Sequence, residues 1–195
     1  EAMSKESGVT KDTLRRYVQY LEAAFLIKVV HRTDDTARRY QRETSFKIYL
    51  TNPSLRCALF QPIGVTDNEI GDMVETAVFA QWIPRIGTDI SYANWRLNKK
   101  EQGEVDIVGI DVARQKPQWA VELKWSDRYP EHPGELKSLL WFMPKNGISE
   151  AIVTTQTISM RKLMDSVVLH FMPVACYAYS VAKNTIDGAR TSCGI

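Results

Sequence analysis

Between Gln118 and Trp125 large apolar residues take every second place: Trp119, Val121, Leu123 and Trp125. A period of two is the signature of a β-strand with one face turned to a core. The opposite face then carries Ala120, Glu122 and Lys124. A carboxylate and an ammonium on an otherwise apolar strand need either solvent or a chemical task, because burying an unpaired charge is costly. Asp106 has a similar setting in Glu104–Val108, between Val105 and Ile107. If the two strands pair as a hairpin, Asp106, Glu122 and Lys124 converge.

That trio suits metal-dependent phosphodiester hydrolysis. Two carboxylates are hard oxygen ligands for Mg²⁺ or Mn²⁺. The ion lowers the pKa of a bound water and shields the phosphate from its attacker. A nearby ammonium assists the attacking water or stabilises developing charge. The rest of the segment reads around this centre. Asn68–Trp82 has helical periodicity, with Glu75 on the flank of the apolar stripe. Strands are expected at 90–95, 104–111 and 118–125, a helix at 133–143 and a strand at 151–155. The five tryptophans invite a base-stacking reading, but their spacing fits core positions better.

The chain before this segment has another character. Leu14, Tyr17, Val18, Leu21, Ala24 and Phe25 recur at steps of three and four, so a helix starts near Thr10, whose hydroxyl can cap it. Ser4, Gly8, Val9, Leu14 and Tyr17 stand at helix-turn-helix offsets. Strands are expected at 25–30 and 46–50, joined by an arginine-rich loop. A helix-turn-helix followed by a two-stranded ribbon is a winged helix. Lys11, Arg15 and Arg16 on its recognition helix, with Arg38, Arg39 and Arg42 in the loop, would be its DNA contacts. Winged helices also serve as interdomain spacers, so packing between domains stands beside DNA contact.

Charge divides the chain at the same place. The formal net charge is only +2, yet residues 1–60 hold 11 Lys/Arg against 7 Asp/Glu, and the remainder 14 against 16. Pro53, Pro62 and Gly64 mark the joint, so two domains are expected at 1–60 and 61–195, the first with a start that looks truncated. With 44% hydrophobic residues the composition is that of a globular protein, with no membrane span or signal peptide expected. Three scattered cysteines argue against a disulfide framework, and a cytoplasmic protein is expected.

Asp106, followed sixteen positions later by Glu122, Leu123 and Lys124, resembles the motif of the PD-(D/E)xK nuclease superfamily. The resemblance implies a restriction-endonuclease-like αβββαβ core with a mixed central sheet. It implies Asp106, Glu122 and Lys124 as catalytic residues and Asp106 and Glu122 as metal ligands. Glu75 on the first core helix would support the metal, and the Leu123 backbone carbonyl would be a further ligand. Val105 stands where the motif has proline. More broadly, Thr13–Leu21, Lys47–Pro53, Gly71 to Val78, Gly103–Asp106 and Val121–Lys124 resemble the C-terminal region of predicted prokaryotic AAA+ superfamily ATPases. There an ATPase module precedes a winged helix and a nuclease-like domain. No phosphate-binding loop occurs in these 195 residues, so ATP would bind only on a preceding module.

The expectation is therefore a C-terminal fragment of an AAA+-type ATPase with a nuclease-like domain acting on DNA. A non-catalytic DNA- or protein-binding module that regulates an attached ATPase is the alternative. A transcription regulator with a ligand-sensing second domain ranks last, since it leaves Glu122 and Lys124 without a task.

Overall fold

The computed structural model describes residues 6–36, 45–82, 89–96, 102–111, 113–114 and 116–193. Among them lie five α-helices and eight strands. The order is α1 (Lys11–Ala23), β1 (Ile27–Thr33), β2 (Phe46–Leu50), α2 (Ser54–Leu59), α3 (Ile70–Trp82), β3 (Asp89–Arg96), β4 (Gln102–Asp111), β5 (Lys116–Glu122), α4 (Lys137–Lys145), β6 (Glu150–Thr155), β7 (Met160–Met164), β8 (Val167–Pro173) and α5 (Val174–Cys193). No described helix is long and apolar enough to cross a membrane.

All eight strands join one mixed sheet, in the order β2-β1-β3-β4-β5-β6-β8-β7. The middle is the antiparallel meander β3-β4-β5. Strand β6 then pairs parallel to β5, which requires a crossover, and α4 supplies it. The β1–β2 ribbon does not stand apart. Strand β1 runs parallel to β3, pairing Arg32 with Tyr92 and Thr33 with Ala93, and the buried Thr33 hydroxyl donates to the Tyr92 carbonyl at 3.2 Å. Backbone pairing thus crosses the 60/61 boundary expected from charge and composition.

Each face of the sheet carries its own apolar layer. On one side α3 and α5 pack together over Val30, Tyr49, Tyr92, Ile107, Val121 and Leu123. On the other, α4 sets Leu139, Phe142 and Met143 against Val105, Val108, Ala120 and Val153. The alternation expected for β5 holds: Trp119, Val121, Leu123 and Trp125 all belong to the α3/α5 side, and Ala120 to the other. Among the tryptophans, Trp82 and Trp95 are buried, whereas Trp141 is partly exposed and lies stacked on Trp95 at 5.0 Å.

Strand β4 is not regular. Ser91 pairs with Val108 but Ala93 with Val105, so two steps along β3 match three along β4. This extra residue is a β-bulge beside Asp106, and bulges re-aim neighbouring side chains. Its effect is visible in the layers: Val105 and Val108 face α4, while Ile107 faces α3 and α5.

The first segment departs from the expected packing. Thr10 does cap α1, accepting from the Thr13 N–H at 3.3 Å. Yet α1 has no buried residue, and Tyr17, Tyr20, Leu21 and Phe25 are exposed. Among the described elements its apolar stripe lies against strand β1, with Leu14 and Val18 covered in part. Strand β1 begins at Ile27 rather than at Phe25, because Phe25 adopts a left-handed turn with φ 56°. Residues expected only to join two domains include the short helix α2, started by an Asn52 side chain that accepts from the Ser54 N–H and hydroxyl. The expected helix at 133–143 is a 3₁₀ turn, Pro133–Glu135, followed by α4.

Candidate functional site

Strand β5 ends at Glu122 because its continuation is bonded to other partners. The Leu123 N–H donates to Asp106 Oδ2 at 2.7 Å. Thr154 on β6 takes both backbone groups of Lys124: its hydroxyl accepts from the N–H at 2.7 Å and donates to the carbonyl at 2.9 Å. The turn that leaves the sheet is therefore held on both sides. Lys124 Nζ comes within 2.7 Å of Glu122 Oε1 and 3.9 Å of Asp106 Oδ2. The structure brings Asp106, Glu122 and Lys124 into one group.

A cleft of about 360 Å³ opens over it. One wall is the N-terminal half of α3, with Asp72 and Glu75; the other carries Asp106, Leu123, Lys124 and Tyr129. Glu75, expected to support a metal, reaches the same cleft, but one of its oxygens is engaged. Glu75 Oε1 accepts from the Tyr49 hydroxyl and lies 3.1 Å from Lys47 Nζ. Lys47 also pairs with Glu104 Oε1 at 2.7 Å, and Asn94 donates to Glu104 Oε2 at 2.7 Å. Lys47, Tyr49, Glu104 and Thr154 were not among the expected site residues. The only local signals were that Lys47 and Tyr49 share a strand face and that Glu104 stands two places before Asp106.

Electrostatics in this group are set by burial. Burial first, and the neighbouring Glu122 carboxylate second, push Asp106 up to about 8, against the pull of Lys124. Glu122 is also raised by burial, with Lys124 opposing. Lys124 feels burial as a downward pull, but Glu122 and Asp106 outweigh it and hold the lysine above its ordinary value. Lys124 is thus an ammonium at neutral pH. It can orient an anion or a water, and it is not a free-amine base.

Among the described residues no group of three or more His, Cys, Asp or Glu side chains is close enough to hold a metal ion as it stands. The donor set nevertheless fits a hard divalent cation on one observation. Among the described residues Glu122 Oε2 is buried without a side-chain hydrogen-bond partner, which is costly for a carboxylate oxygen unless something positive meets it. Among the described residues, the carboxyl groups of Glu75, Glu104, Asp106 and Glu122 are paired with two ammonium groups, Lys47 and Lys124. Asp106, Glu122 and the Leu123 carbonyl would be the ligands, all oxygen and all hard.

At the edge of the site Asp127 ties down the loop after β6. Its carboxylate accepts from the N–H groups of Gln156 and Thr157 at 2.9 Å, from that of Ile158 at 3.3 Å, and from the Thr157 hydroxyl at 2.6 Å. The Thr157 hydroxyl and N–H bonds hold Asp127 below the usual carboxylate range. Asp127→Ala should cost about 1 kcal/mol, since water replaces much of what is lost at an exposed site. A lowered pKa stabilises the fold above the unfolded value and is lost as the pH falls through the folded one. Thermal melts should therefore show the deficit at pH 7 and a narrowing gap below about pH 4.

The expected DNA contacts are only partly placed. Lys11, Arg15 and Arg16 are exposed on α1, with Arg15 3.7 Å from Asp12. Arg38, Arg39 and Arg42 lie outside the described residues.

A family model described as a domain of unknown function, DUF8612, matches residues 1–69. It spans about a third of the chain and ends just before α3, so it includes Lys47 and Tyr49 but none of Glu75, Asp106, Glu122 and Lys124. A search of curated proteins found no match.

Proposed function

We propose that this chain carries a divalent-cation-dependent phosphodiesterase centre of the PD-(D/E)xK kind, acting on DNA, in the C-terminal part of an AAA+-type ATPase. The observation that carries the reading is the meeting of Asp106, Glu122 and Lys124 at the end of β5, with a buried Glu122 oxygen lacking a side-chain partner among the described residues. The element order α3-β3-β4-β5-α4-β6 supports it, since it matches the αβββαβ order of that superfamily. When bound, Mg²⁺ or Mn²⁺ supplies an activated water and charge neutralisation at the phosphate. Asp106 and Glu122 would hold the ion, the Leu123 N–H fixes the Asp106 carboxylate, and the Lys124 ammonium would orient the attacking water. The β1–β2 ribbon and α1 are read as the winged helix, with Lys11, Arg15, Arg16, Arg38, Arg39 and Arg42 available to DNA.

The alternative is a non-catalytic DNA- or protein-binding module that regulates an attached ATPase. It is favoured by the exposed face of α1, which offers Tyr17 and Tyr20 beside its basic residues, with the exposed Phe25 in the turn that follows. Incubating the protein with single-stranded, duplex and branched DNA, with Mg²⁺ or Mn²⁺ and with a chelator, separates the two. The nuclease reading expects cleavage in the metal-containing reactions alone. Salt-sensitive binding with no cleavage of any form would select the regulatory module instead.

A further inference from the structure

Lys47 stands far from the Asp106–Glu122–Lys124 group in sequence, yet its ammonium lies between two carboxylates of the same neighbourhood. Nζ is 3.1 Å from Glu75 Oε1 and 2.7 Å from Glu104 Oε1. Tyr49, on the same face of β2, donates to that Glu75 oxygen. Asn94 on β3 donates to the other oxygen of Glu104 at 2.7 Å and accepts from Gln102 at 3.0 Å. The lysine is therefore seated between helix α3 and strand β4, and Glu75 borders the same cleft as Asp106. Two carboxylates converging on one positive centre is what a hard cation asks of a protein.

We infer that Lys47 is a built-in cation held between Glu75 and Glu104 at the side of the Asp106 cleft, in place of a second ion, so that the site takes a single divalent ion. The inference rests on the metal reading of Asp106 and Glu122 and adds the number of ions to it. Burial opposes the charge on Lys47, but Glu75 and Glu104 outweigh that and hold the lysine above its ordinary value. It stays an ammonium throughout the useful pH range. Burial and the Glu75 carboxylate likewise keep Tyr49 protonated, so it remains a donor. In two-ion phosphoesterases both the attacking and the leaving oxygen are clamped by metals. With an ammonium in the second place, Lys47 would supply the second positive charge, fixed by its covalent attachment to β2. Neutralising Lys47 would leave the Glu75 and Glu104 carboxylates without the ammonium they share. A second ion would take its place.

Mn²⁺ titration by calorimetry, with low-temperature electron paramagnetic resonance, counts the ions directly. Wild type and Lys47→Arg should bind one Mn²⁺. Lys47→Met and Lys47→Gln should bind two, with spin coupling between them, and Lys47→Met combined with Glu104→Gln should return to one. The glutamine variant keeps a polar group and carries the test if the methionine variant fails to fold. One ion in wild type and still one in both neutral variants overturns the inference and leaves the single-ion reading standing. Two ions in wild type or in Lys47→Arg overturns it as well. No ion in wild type overturns it together with the metal reading of Asp106 and Glu122.

Discussion

With Asp106 replaced by asparagine, the dependence of stability on pH should flatten between about pH 4 and pH 8, and Mn²⁺ should lose its stabilising effect. In the folded chain burial and Glu122 push Asp106 up to about 8 from an ordinary 3.8. A group raised in this way contributes stability that is fully present below its unfolded pKa and is lost as the pH rises through the folded one. Wild type should therefore become less stable toward pH 8. Asparagine has no proton to lose and still accepts the Leu123 N–H, so the slope goes while the turn stays closed. Glu122, raised by burial as well, leaves a residual slope of the same sign. Because the metal competes with that proton, wild type should gain more from Mn²⁺ at pH 8.5 than at pH 6. At a hundredfold excess over the dissociation constant the gain is about 2.7 kcal/mol, roughly 5–10 °C in midpoint for a chain of this size. Asp106→Asn should show none of it in scanning calorimetry. An undiminished Mn²⁺ shift in the variant would take Asp106 out of the ligand set.

Gly103→Ala should give the largest loss of stability of any single methyl addition in the meander. Gly103 pairs directly with Trp95, whose indole lies flat across it. A Cβ at Gly103 would sit 2.3 Å from two ring carbons of Trp95. The ring has nowhere to go: Trp95 is buried, stacked on Trp141 at 5.0 Å and on Phe142 at 5.7 Å. Gly109 repeats the arrangement, with Trp119 across it at 2.0 Å from the added Cβ. Trp119 is only half-buried and has more room to yield, so Gly109→Ala should cost less. Overpacking of this kind costs about 2 kcal/mol, a drop of roughly 4–8 °C for Gly103→Ala. Equal midpoints for wild type and Gly103→Ala would mean that the Trp95 stack is looser than its burial indicates.

The centre of the fold was legible because its signals are local. Alternation on β5 placed Glu122 and Lys124 on one face, and helical spacing marked α1 and α3. Thr10 announced its own cap. What escaped is set by contacts between distant segments. The bulge beside Asp106 exists only as a mismatch of register between β3 and β4, and no single strand carries a trace of it. Lys47 and Glu104 are 57 residues apart, and they meet because β1 pairs parallel to β3. Reading the first segment as separate hid that contact. Strands β7 and β8 and helix α5 add to the sheet edge and to the face that α3 covers, beyond the αβββαβ core that the motif resemblance implies. The apolar stripe of α1 shows the opposite failure: periodicity identified the helix but not what would cover it.

The most direct measurement of the central claim is single-turnover cleavage of labelled DNA by Glu122→Gln set against wild type, with Mn²⁺ and at matched folded concentration. Glu122 pairs with Lys124 at 2.7 Å and offers the buried oxygen that lacks a side-chain partner among the described residues, so both the ion and the ammonium depend on it. A metal-dependent centre built on Asp106, Glu122 and Lys124 predicts a rate lower by at least about two orders of magnitude in the variant. Cleavage by Glu122→Gln at the wild-type rate would contradict it.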